Sequence, residues 1–239
     1  LEVPRWALLI GFAVFAAIFA QVERLASAPV FDFSLLKNRT FAFSNLAGFL
    51  FFICLSPIQV LMPFYLESVL GLATSSVGIL MASIPLTIFV VAPCAGRLSD
   101  VFGSRWLSLL GALLATATLA AMSGLFKNPA WLTGLAGNEH RDRVIGFLIA
   151  MGMSVGLFQS PNNSAIMNSV PSNKLGTASA LLATVRNLGL VTGAGLSTSM
   201  VGWQMSEGAS FLVAYRGTLV VGAAVALAAV LASFGKGRS

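Results

Sequence analysis

Gln159, Asn162 and Asn163 fall within twelve residues, GLFQSPNNSAIM, in a stretch that is otherwise almost wholly apolar, and Pro161 stands between them. A side-chain amide both donates and accepts hydrogen bonds, so such a run can line a polar cavity or join two helices. Asn162 and Asn163 are about 100° apart around a helix and cannot face one direction. Either one faces a cavity and the other a neighbouring helix, or both pack helices together. Pro161 donates no backbone hydrogen bond, and its position predicts a break that frees the carbonyl near Leu157. Arg186 lies in a second apolar stretch, ASALLATVRNLGLVTGAG. A guanidinium there must reach a cavity, snorkel to the membrane surface or find a polar partner. Within this chain the partners on offer are Asn162, Asn163 and a helix C-terminus, and the remaining option is an acid outside it. Gln59 is a third polar group among apolar neighbours, in FICLSPIQVLMP. Phe49, Phe51, Phe52, Phe64 and Tyr65 on the same segment are expected to give a cavity an aromatic wall, suited to stacking and cation–π contact with flat lipophilic cations.

Other chemistries lack their residues. Proton-coupled work in a membrane needs a titrating group at depth, and all eight acids fall in loops or near helix ends, Glu67 being the nearest to a span. Cys54 and Cys94 are not spaced as metal ligands and read as small hydrophobes in helix packing. The only histidine, His140, lies beside two arginines in the loop FKNPAWLTGLAGNEHRDR and reads as solvated surface. No paired carboxylates, Ser/His pair, His/Cys cluster or nucleotide-binding loop appears in any span, so the expectation is that the chain is not an enzyme, with no metal and no cofactor.

The elements that position these residues are membrane helices. The chain of 239 residues is 57% hydrophobic and 9% charged, with a mean hydropathy of +0.89, whereas soluble domains are about 25% charged. Runs of about 18 or more apolar residues read as transmembrane helices. Seven segments follow: 6–21, 41–66, 75–96, 105–125, 144–168, 175–200 and 212–234. The first is short for a span, and a polar, amphipathic stretch, 22–40, separates it from the other six. If the first helix runs inward, eight Lys and Arg fall on the inner side and five on the outer, which predicts a cytoplasmic C-terminus. The net charge of +6 is then a matter of topology, and no nucleic-acid partner is expected.

Between the third and fourth segments the chain reads GRLSDVFGSR. This predicts a tight cytoplasmic turn in which Gly96 and Gly103 adopt unusual dihedrals, Asp100 takes helix-start N–H groups or an arginine, and Arg97 and Arg105 hold the turn at the surface. Gly189 and Gly193 form a Gly-x-x-x-Gly face for close helix packing. The spacing of Gly96, Leu98, Asp100, Gly103 and Arg105 resembles the loop signature of the major facilitator superfamily. FDFSLLKNRTFAFSNL and GLFQSPNNSAIMNSVPSNKLGTASALLATVRNLG further resemble the C-terminal half of fourteen-helix drug:proton antiporters of the EmrB/QacA type.

The resemblance implies an all-α membrane fold. A linker helix and amphipathic connector (1–40) would precede a six-helix half (41–239) made of two inverted three-helix repeats divided near Trp131. It also implies alternating-access efflux of lipophilic or cationic drugs across the inner membrane, energised by a proton gradient. Gln59, Phe52, Gln159, Asn162, Asn163 and Arg186 would face substrate; Gly96, Arg97, Asp100, Gly103 and Arg105 would gate; Pro161, Gly189 and Gly193 would serve packing. The expected partners are a small-molecule substrate, the bilayer and an N-terminal transporter half that supplies the coupling acid. The rival expectations are transport of another solute, such as a metabolite or siderophore, and a truncated remnant that transports nothing.

Overall fold

The computed structural model describes residues 33–124 and 141–235, preceded by isolated helical positions at Val14, Ala17, Ile18 and Gln21. The rest of the expected segment 6–21, most of the connector, Trp131 and His140 lie outside the described residues. A short 3-10 turn, Phe33–Lys37, leads into six long helices: α1 (Arg39–Ser68), α2 (Thr74–Phe102), α3 (Ser104–Ser123), α4 (Arg141–Asn168), α5 (Leu175–Ser206) and α6 (Phe211–Phe234). All except α5 are long and apolar enough to cross a membrane by length and composition. The fifth, at 32 residues, is long enough, about 48 Å, but Arg186 and its Ser, Thr and Gly residues dilute its apolar character.

Local chemistry sets the ends. The Asn38 side chain accepts from the backbone N–H of Thr40 at 2.9 Å and of Phe41 at 3.2 Å, capping α1. Its amide also donates to the Ser169 carbonyl at 2.7 Å, tying the start of α1 to the end of α4. Gly124, at φ +80°, closes α3 in the left-handed conformation that glycine adopts without a Cβ penalty.

The expected turn over Gly96–Arg105 is corrected: helix α2 runs on through Phe102, and the whole reversal is made by Gly103 at φ +83°. Gly96 is helical and faces α4, where a Cβ would come within 3.1 Å of Ser160 Oγ. The residues Arg97 to Phe102 contain no helix breaker, so nothing in the backbone stops α2 before the glycine. The break expected at Pro161 is likewise absent: α4 is continuous from Arg141 to Asn168. One missing N–H in a helix supported on several sides bends it at most, without ending it.

The packed pairs reveal an order the sequence does not display. α1 packs on α5 and α6, α4 packs on α2 and α3, and α3 packs on α6. Exchanging α1 with α4, α2 with α5 and α3 with α6 returns the same set of contacts. Because α1 and α4 run in opposite directions, this is an inverted repeat of two three-helix units. Its centre is a buried cluster in which Phe51 of α1 stacks on Phe158 of α4, ring centroids 3.9 Å apart and planes 9° apart.

Two Gly-x-x-x-Gly faces let the symmetry-related pairs close. A Cβ on Gly189 would lie 2.8 Å from the Phe49 carbonyl, and one on Gly193 would lie 2.6 Å from the Ile53 carbonyl, so α5 meets α1 backbone to backbone. Gly152 and Gly156 do the same for α4 against Ile84, Thr87 and Val91 of α2.

Candidate functional site

Four helices, α1, α2, α4 and α5, enclose a cavity of about 300 Å³ whose lining includes Phe52, Gln59, Met151, Gln159, Arg186 and Asn187. Each polar group arrives there for a local reason. Pro57 opens a single π-helical turn, Pro57–Leu61, in the middle of α1, and Gln59 projects from it into the cavity. Such turns insert one extra residue into the helix and often mark functional sites. Gln159 stands two residues before Pro161 in α4. Arg186 is about 16 Å along α5 from its first residue, half-buried, with Asn187 beside it.

The lining groups share one property. Gln59, Gln159, Arg186 and Asn187 form no hydrogen bond or ion pair with any described residue, which leaves their donors and acceptors open to the cavity. No carboxylate of a described residue lines it. The described carboxylates, Glu67, Asp100 and Glu207, all stand at or near helix ends.

The two asparagines go separate ways. Asn162 is 3% exposed, and its amide donates to the Ser44 carbonyl of α1 at 3.2 Å. Asn163 looks toward α2 and lines a second cavity of about 400 Å³ with Ile88, Gln159 and Ser160. A narrow recess carries Asn162, Asn163, Phe52 and Arg186 in its walls, so each of the six polar and aromatic residues singled out in the sequence lines the cavity or the recess.

The aromatic wall expected along α1 is corrected to one residue, Phe52. Phe51 is fully buried against Phe158. Tyr65 packs on Tyr215 at 5.7 Å, and Phe64 points out of the bundle at 56% exposure. Neither Phe49 nor any of these three lines the cavity. The π turn is the reason for part of this: it rotates everything after Pro57 by about one residue relative to a regular helix, so faces counted across it do not hold. The proline was visible in the sequence, and it was the one signal that could have revealed the bulge.

At the Gly103 end, Asp100 is exposed and forms no hydrogen bond or ion pair with any described residue, correcting the pairing expected with Arg97 or Arg105. Arg105 instead turns to the end of α6, donating to the Phe234 carbonyl at 3.0 Å and lying over its ring. Arg39 joins it there, donating to the Gly235 carbonyl at 3.1 Å. A helix C-terminus carries partial negative charge and unsatisfied carbonyls, and it draws the two guanidiniums away from the carboxylate. Asp100 is left on a polar hollow of about 530 Å³ with Asn38, Ser99, Ser104 and Asn168.

A family model described as Major Facilitator Superfamily matches residues 4–194. The chain is 32% identical over 181 residues to the riboflavin transporter RibZ of Clostridioides difficile, covering 75% of this chain and 37% of that protein. It is 32% identical over 193 residues to the uncharacterized transporter YebQ of Escherichia coli, covering 81% and 40%. It is 26% identical over 188 residues to multidrug resistance protein 3 of Bacillus subtilis, covering 78% and 34%. The chain therefore spans well under half the length of the curated relatives it matches.

Proposed function

The chain belongs to the major facilitator superfamily, and from that premise we propose that it forms the C-terminal half of a proton-coupled exporter of drug-like solutes, of the fourteen-helix EmrB/QacA type. The observation that carries this reading is the central cavity: open polar groups and one aromatic ring at membrane depth, between helices related by an inverted repeat. A cavity so placed can be presented to either side when two halves rock about it, which is alternating access. The likeness to multidrug resistance proteins supports export as the direction.

In this reading the protein sits in the inner membrane as a multi-pass protein with a cytoplasmic C-terminus. The Gly103 end then faces the cytoplasm, where Gly96, Arg97, Asp100, Gly103 and Arg105 form the gating region. Asp100, unengaged here, is free to take a partner in another gate state, while Arg105 fixes the end of α6. With no acid of a described residue in the cavity, the proton-carrying carboxylate comes from an N-terminal half, the partner that would complete the cavity. Gln59, Phe52, Gln159, Asn163 and Arg186 contact solute, and Asn162 with Gly189 and Gly193 holds the walls in place.

A second reading, transport of a metabolite instead of a drug, is favoured by the likeness to a protein named as a riboflavin transporter. One experiment separates them. Everted membrane vesicles are prepared from cells expressing the whole coding frame that contains this chain, and a pH gradient is imposed. Addition of lipophilic drugs should collapse the gradient and load the vesicles with drug. Loading by riboflavin-like metabolites alone would favour the second reading, and no loading by any solute would remove both.

A further inference from the structure

We propose that the cavity between α1, α2, α4 and α5 takes an amphipathic aromatic anion, with Arg186 as its charge partner; this rests on the reading of the chain as a transporter and names its substrate class.

The argument begins with the cost of an unpaired cation. An arginine at membrane depth is expensive unless something compensates it. Arg186 has five N–H donors, yet no described residue accepts from any of them, and no carboxylate of a described residue lines its cavity. Asn162, an amide in the same recess, donates to the Ser44 carbonyl. The Arg186 side chain lines both the cavity and the narrow recess next to Asn162 and Asn163. A solute that brings the missing negative charge is stabilised there, and a cation is repelled.

Shape and the remaining lining supply the rest. Phe52 and Met151, with Ile84 and Ile88, give the cavity flat, polarizable and apolar lining. The space, about 300 Å³, is at the lower end of small-molecule pockets and suits a compact ring system. Gln59, Gln159 and Asn187 add groups to the same lining that can donate to ring or side-chain oxygens and nitrogens. Among the described residues the lining therefore holds one cationic group among neutral and apolar ones, and the ligand that matches it is a planar ring with an anionic edge. The flat lipophilic cation expected from an aromatic wall loses its basis, because that wall reduces to Phe52.

The test uses two fluorescent probes that differ by one sulfonate, anilinonaphthalenesulfonate and its neutral parent phenylnaphthylamine, with ethidium as the cation. Uptake into everted vesicles carrying the whole protein is measured alongside binding to the purified protein in detergent. The sulfonate should be taken up with a KM about tenfold below that of the neutral parent. Arg186→Gln should raise the sulfonate KM by about tenfold and leave the parent within about twofold, and Arg186→Lys should restore most of the difference. Equal handling of sulfonate and parent, or preference for ethidium, overturns the proposal. So does an Arg186→Gln protein that loses all three probes equally, since Arg186 would then be paired with an acid elsewhere in the transporter. If Arg186→Gln fails to reach the membrane, competition between the probes on the wild-type protein still decides the charge preference. Charge-selective binding without uptake would keep the site and sink the transporter reading; uptake without charge selectivity would do the reverse.

Discussion

Asn162 and Arg186 are two polar residues on the walls of one recess in the helical bundle, and they have opposite fates. Asn162 is buried and bonded across the α1–α4 contact, next to the Phe51–Phe158 stack. Arg186 lies one helix away, half-buried, with its donors facing open space. A buried amide whose bonds are made inside the protein contributes to holding helices together. A cation whose bonds are unmade is a site waiting for a partner, because an apolar environment penalises an unpaired charge more heavily than an unpaired amide. The bundle thus separates a wall from an opening: α1 and α4 form the wall where backbone and side chain are satisfied, and α5 brings the unsatisfied groups to its edge.

The largest test of that separation is steric. Gly193→Leu places a side chain where Ser56 Oγ and the Ile53 backbone already stand, and overpacking there should cost about 3 kcal/mol or more. The purified protein should melt at clearly lower temperature or fail to reach the membrane. A leucine variant as stable as wild type would mean that α5 does not need its close approach to α1 to present the cavity. Next in size is Arg186→Gln, which should cut uptake of an anionic probe by about tenfold while moving stability by no more than about 0.5 kcal/mol. A large loss of stability with unchanged selectivity would move Arg186 from the opening to the wall.

Asn162→Ala should behave in the opposite sense. Loss of its bond to Ser44 should destabilise the protein by about 0.6–1.7 kcal/mol, the range of polar helix–helix bonds in membranes, with KM within about twofold of wild type. A change of substrate preference would place Asn162 in the opening after all. The smallest effect is expected at Gln59→Ala, where one neutral hydrogen bond to solute is removed. KM should rise between about twofold and tenfold, and thermal stability should stay put because Gln59 makes no bond within the described chain.

Helix positions were largely legible before the fold was known. The expected segments 41–66, 144–168 and 212–234 fall within a few residues of Arg39–Ser68, Arg141–Asn168 and Phe211–Phe234, because a membrane helix is a local consequence of a long apolar run. The segment expected at 75–96 ended too early, since the glycine and charges of GRLSD look like a loop while only Gly103 acts as one. The cavity residues were legible as exceptions, polar groups where apolar ones were expected. Their partners were not, and neither was the direction of any aromatic ring on α1.

The sequence by itself determined that this chain is a bundle of membrane helices, roughly where they begin and end, and which polar residues would be costly to leave unsatisfied. These follow from hydropathy and from the price of a buried charge, both properties of single residues and short runs. Only the tertiary structure decided which costs are met inside the protein. It paired α1 with α5 and α4 with α2 in an inverted repeat that no residue pattern displays, and it placed Asn162 against Ser44 but left Arg186 open. It also turned Phe51 inward and Phe64 outward across the π turn. Facing is a relation between helices, fixed by where glycine lets two backbones touch and where a proline shifts the helical phase, and neither is known until the helices have packed.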